Sequence, residues 1–220
     1  MPWLKRQMNH AGRENIERAL KAADLKTCGE IVPVIARRSA RYGHTPWLAA
    51  ALFLASAESV GLGMGGPIGS AHLSPLAEAL AWALLCIGAG WFASRFKSVR
   101  RILTPHKDRI QAVHRAAEAT FHRLALYRAR GDAGVLIYVS VEEREAVVLA
   151  GAGIADLAGA EHWKKTCALV VDAAARGDLS GGIEMAVTQC ALVMAPHHPP
   201  QAGGQDVVLH QRLKIIHDTY

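Results

Sequence analysis

The sequence predicts an α/β domain, a small sheet layered with helices, interrupted by a two-helix transmembrane hairpin. Three observations carry this expectation. Continuous apolar runs over 30–36 and 134–140 read as buried strands, and amphipathic stretches of helical period lie on either side of them. Between Arg41 and Arg95 the chain has no Lys or Arg at all, although it carries 25 in its 220 residues.

Taken in order, residues 9–24 repeat apolar side chains at Ile16, Ala19, Leu20 and Ala23, with Arg and Glu opposite, which predicts a helix. The run over 30–36 predicts a strand buried on both faces. Pro33 cannot donate to a ladder and points to an edge position or a bulge. A long helix is predicted from Pro105 to about Tyr127, its stripe formed by Ile110, Val113, Ala117, Phe121 and Leu124. Residues 134–140 predict a central strand, 141–144 a polar turn, and 145–150 the second half of a tight hairpin. Helices follow over 160–175 and 180–195, the latter stopped by Pro196-His-His-Pro-Pro200. The tail, 201–220, has one stretch at 207–209 able to add an edge strand.

The charge gap holds two apolar runs, 47–64 and 76–93, each roughly 18 residues and close to the ~20 that cross a bilayer as a helix. Arg37, Arg38 and Arg41 flank the first, and Arg95, Lys97, Arg100 and Arg101 the second, while the loop between them carries only His72. Positive residues stay in the cytoplasm. The expectation is therefore a two-pass protein of the cytoplasmic (inner) membrane with both termini in the cytoplasm. Its soluble domain would be discontinuous, 1–45 with 96–200, around a hairpin at 46–95. A buried hairpin in a soluble protein is the competing reading. Glu58 and Glu78 favour it, and the absence of a polar face in either run opposes it. Inside a bilayer those two carboxyls would each cost roughly 2.5–3.5 kcal/mol, which points to a partner helix or self-association. Gly61-x-x-x-Gly65 would permit close helix packing.

Net charge is +6, with a pI near 9.4. Much of that excess lies beside the hairpin, where anionic headgroups account for it, and no nucleic-acid motif is present. The four cysteines, Cys28, Cys86, Cys167 and Cys190, form no CxxC pair and read as reduced, buried small hydrophobes. The N-terminus lacks an apolar h-region, so no cleavable signal is expected. Gly151-Ala-Gly153-Ile-Ala-Asp156 imitates a dinucleotide fingerprint but puts Asp156 where the third glycine belongs, opposing a pyrophosphate. His114, Glu118 and His122 share one side of a helix at i, i+4, i+8 and read as a solvated face; His197-His198 reads as a loop.

Gly134-Val-Leu-Ile-Tyr-Val-Ser140, Glu143-Arg144, Val147-Val-Leu-Ala150, Gly153-Ile154, His162-Trp163 and Gly182-Ile183 with Ala186 together resemble the TPM-domain family. That family is named for a thylakoid-lumen phosphatase-like protein, a photosystem-repair protein and a nicotinic-receptor auxiliary protein. Ile16, Ala19, Ala22-Ala23, Thr27 and Gly29-Glu30-Ile31 look like its first helix and strand. The pattern is most similar to the bacterial branch whose domain is interrupted by a membrane hairpin. The resemblance implies a sandwich with helices on both faces of a central sheet. It also implies acid phosphatase activity and Ca²⁺ binding for some members, and assembly or repair of membrane complexes for others. This chain has Gly151 and Gly181 where the family often places acidic residues, and Gln205-Asp206-Val207-Val208-Leu209 where it has an acidic segment. Asp156 and Asp206 remain as candidate metal ligands. The expectation is a non-enzymatic interaction or accessory module for a membrane-protein partner, without cofactor. The alternative is a degenerate divalent-metal-dependent phosphatase.

Overall fold

Strands β1 (Glu30–Arg38) and β2 (Gly134–Ser140) form the centre of the domain, and every residue from Ile31 to Ala36 and from Gly134 to Ser140 is buried. They run parallel, in register from Glu30↔Gly134 to Ala36↔Ser140. The antiparallel β3 (Glu145–Ala150) flanks β2, and the parallel β4 (Lys214–Asp218) flanks β1. The sheet order is β3-β2-β1-β4. This computed structural model describes residues 8, 10–40, 47–53, 55, 75–93, 96, 105–200 and 213–218. The chain divides into two units, Met1–Ala40 with Arg109–Tyr220, and Arg41–Asp108.

In the larger unit, alternation along the strands sorts side chains to two faces. Ile31, Ile35, Val135, Ile137 and Val139 face α1 (His10–Asp24) and the later helices. These are α5 (Gly159–Ala175) and α6 (Leu179–Met194). Val32, Val34, Leu136 and Tyr138 face α3 (His106–Arg123) through Val113, Ala117 and Phe121. The helices thus lie on both faces, as the resemblance implies. A short helix, α4 (Ala152–Ala155), follows β3.

Two expectations are corrected, and a third lies outside the described residues. Pro33 lies in a central strand, opposite Ile137. It is tolerated because Glu30 donates to Ala133 and Ala36 accepts from Val141, both on the β2 side. By alternation, the Pro33 nitrogen then faces the β4 side, one residue before the registered pairs begin at Val34↔Lys214. The long helix stops at Arg123, not near Tyr127. Ala125 takes a left-handed conformation (φ 54°), and a 3-10 turn at Leu126–Arg128 carries Leu126 back into the core. The fourth strand is Lys214–Asp218, whereas 207–209 lies outside the described residues.

In the smaller unit, residues 47–53 are helical and α2 spans Pro75–Ala93. Among the described residues, no helix is long and apolar enough to cross a membrane, so the transmembrane hairpin expected at 47–64 and 76–93 gains no support here. Of the first run only 47–53 and Ala55 are described, and on α2 the described side chains start at Trp82. Gly90 of α2 lies against Ala50, and a Cβ on Gly90 would collide with the Ala50 backbone. Cys86, one turn earlier, is buried, as is Ala49. Gly61 and Gly65, expected to mediate packing, lie outside the described residues, as does Glu58.

The core also sets one alkaline titration. Cys190 is fully buried on α6, and burial, reinforced by the nearby Cys167 thiol, pushes its pKa up to about 12. The unfolded chain loses this proton first, so the native state loses stability as pH rises from about 9 to 12. Urea unfolding of Cys190→Ala should lack that component, about 1.4 kcal/mol per pH unit. Equal slopes for the parent and the variant would refute the assignment.

Candidate functional site

In open sheets with parallel strands, ligands sit beyond the carboxyl ends, and here that end is organised by the β2–β3 turn. The Val141 and Glu142 N–H groups donate to the Ala36 and Arg37 carbonyls, each at 3.0 Å, so the turn hooks onto the last residues of β1. Three consecutive charged residues of this turn meet different fates.

Glu142 pairs with Arg37 at the surface, Nε to Oε1 3.1 Å. Glu143 is buried, 4% exposed. Its carboxylate accepts from the Ser39 backbone N–H, 3.3 Å to each oxygen, and from the Ser140 hydroxyl in a short hydrogen bond. Ser39 Oγ donates to Ser140 Oγ at 2.8 Å. With both serine protons committed in that direction, the Tyr138 hydroxyl is left to donate to Ser39 Oγ across 3.3 Å. The result is a one-way relay from Tyr138 through two hydroxyls to a carboxylate. Arg144, the third residue, is exposed and left-handed (φ 57°).

Behind the turn, on the α5–α6 side of the sheet, lies a cavity of about 330 Å³. Val139, Ser140, Val141, Arg144 and Glu145 line it from the hairpin, and Val171, Ala174, Ala175, Gly177 and Leu179 from the helices. The helix junction is legible locally. Gly177 (φ 85°) ends α5, and Asp178 caps α6 by accepting from the Gly181 N–H at 3.0 Å.

The opposite end of the sheet holds the residues that first suggested chemistry. Gly151 and Gly153 press against the backbones of Asp132 and Gly131, where any Cβ would clash, so these glycines serve a close approach. Asp156, exposed, ends α4. His198 ties the chain down: its carbonyl accepts from Cys28 N at 3.1 Å and Thr27 Oγ1 at 2.7 Å, and its ring Nε2 stands 3.4 Å from the Gly153 carbonyl. On α3, His114 and Glu118 pair at 3.1 Å on the surface, while His122 turns to the Tyr127 ring, centroids 5.7 Å apart. Among the described residues, no three His, Cys, Asp or Glu side chains are placed to hold a metal ion. Asp156 belongs to no such group, and Asp206 lies outside the described residues. Of the basic residues expected to flank a membrane hairpin, Arg37 and Arg38 end β1, while Arg41, Arg95, Lys97, Arg100 and Arg101 lie outside the described residues. Glu78 is within α2. Sequence reading noticed Glu143 and Arg144 but not their separation. The signal was available: a charged triplet in a four-residue turn cannot point one way.

Residues 99–193, somewhat under half of the chain, match the family model described as TPM domain. Among solved structures, the chain is similar to the BA42 protein of the psychrophilic bacterium Bizionia argentinensis, determined by NMR. The two share 15% identity over 99% of each chain, with a TM-score of 0.54, which shows a common fold. No curated protein matches.

Glu143→Ala should cost on the order of 3 kcal/mol in urea unfolding, because the Ser39 N–H and Ser140 hydroxyl lose their acceptor inside the protein. Glu142→Ala, which removes a partly exposed pair, should cost under about 1 kcal/mol. Similar costs for the two would show that Glu143 does not pin the turn.

Proposed function

We propose that this protein is a TPM-like module tethered to the cytoplasmic membrane by 46–95, with both termini in the cytoplasm, where it docks a membrane-protein partner or a second copy of itself. The observation that carries the reading is the inverted burial of the smaller unit. Among its described residues Cys86, Gly90, Ala49 and Ala50 are buried, while Trp47, Leu52, Leu84, Leu85, Trp91 and Phe92 are exposed, Leu84 by 70%. A water-soluble hairpin does the opposite. Each such side chain left in water forgoes about 1.5–3 kcal/mol of burial, and small residues at the seam with large ones outside is the arrangement of helices packed in lipid. Residues 42–94 contain no Lys, Arg or Asp, and Arg and Lys resume directly after them.

The soluble face of this reading is a domain whose one buried carboxylate among the described residues is spent on holding a turn. Interaction, with no cofactor required, suits it better than hydrolysis. The alternative, a divalent-metal phosphatase, predicts saturable Ca²⁺, Mg²⁺ or Mn²⁺ binding together with turnover of a phosphate monoester.

Alkaline carbonate extraction of membranes expressing the full chain is the test. The protein should stay in the pellet, and protease added from the outer side should leave both termini intact. Release into the supernatant would end the anchoring reading, and phosphomonoester turnover by the purified chain would replace the docking reading with the enzymatic one.

A further inference from the structure

The cavity at the carboxyl end of β2 has the makings of a ligand site, and we propose that it binds a medium-chain alkyl carboxylate. The proposal concerns the larger unit alone and stands apart from the anchoring reading. Its volume of about 330 Å³ is at the small end of ligand pockets and holds about ten non-hydrogen atoms at ~30 Å³ each. Val139, Val141, Val171, Ala174 and Leu179 supply aliphatic walls without an aromatic ring, which suits an alkyl chain rather than a planar ring.

The charge at the rim selects the head. Arg144 belongs to the lining, is exposed, and forms no ion pair among the described residues. Two nearby acids are engaged: Glu142 pairs with Arg37, and Glu143 holds Ser39 and Ser140, while Glu145 belongs to the lining beside Arg144. Asp178 accepts from Gly181 and Ser180. A single free guanidinium matches one planar carboxylate in bidentate fashion. Arg144 also adopts a left-handed φ of 57°, which glycine would hold without strain. The turn by itself therefore gives no reason for arginine here; recognition of an anion does.

The experiment is a titration of octanoate into the purified full chain, plotted against the free ligand concentration measured by equilibrium dialysis, followed by the ¹³C methyl resonances of Val139, Val141 and Val171. Saturable shifts of those three valines are expected, with 1-octanol binding at least tenfold more weakly. Arg144→Gly should fold as well as the parent, with an equal or higher thermal midpoint, yet bind octanoate at least tenfold more weakly. Ala174→Phe, which fills the cavity, should abolish the shifts. Equal affinity for octanoate and octanol, unchanged binding by Arg144→Gly, or no saturable shift at these valines would each overturn the proposal.

Discussion

Two strands with no polar face govern this architecture. Because β1 and β2 are buried on both sides, neither can lie on a surface, and the sheet must be covered twice. One cover is α3 and the other is α1 with α5 and α6. Parallel pairing adds a second demand, since the chain has to leave the carboxyl end of β1 and return to the amino end of β2. That crossover runs from Ser39 to Ala133 and contains the whole of the smaller unit. An insertion there leaves the sheet register untouched, because loop-closure entropy grows only slowly with length.

The two units obey opposite burial rules. The larger hides Ile, Val and Leu and spends its small residues at helix contacts and close approaches. Among its described residues, the smaller hides Ala, Cys and Gly and presents Trp, Leu and Phe. The change of rule coincides with the loss of Lys and Arg after Arg41. The docking role proposed for the soluble unit follows from this partition: the apolar segment places the domain, and the domain supplies the specific surface.

At the carboxyl end of the sheet the same four-residue turn does structural and recognition work side by side. Glu143 is drawn inward because Ser39 and Ser140 offer donors there, which fixes the turn against β1. With that anchor in place Arg144 is held at the mouth of the cavity. The amino end, where glycine spacing imitates a nucleotide loop, is instead a packing joint closed by His198.

Local chemistry was sufficient to read much of this chain. The strands at 134–140 and 145–150 and the turn between them follow from apolar runs and a charged interruption, and α5 and α6 from period, glycine and cap. Each depends on neighbours within a few residues. What the sequence did not show depends on partners far away. Pro33 could enter a central strand only because β4 starts pairing one residue later, at a segment near the other terminus. Glu143 became a buried anchor through Ser39, 104 residues distant, and the Arg144 cavity exists only where the hairpin and the α5–α6 junction meet. The sequence by itself determined most of the elements and the place where Lys and Arg vanish from the chain, because period and charge are local quantities. Tertiary structure alone decided which charges are spent and which stay free, because that depends on which distant donors the fold brings within hydrogen-bonding reach.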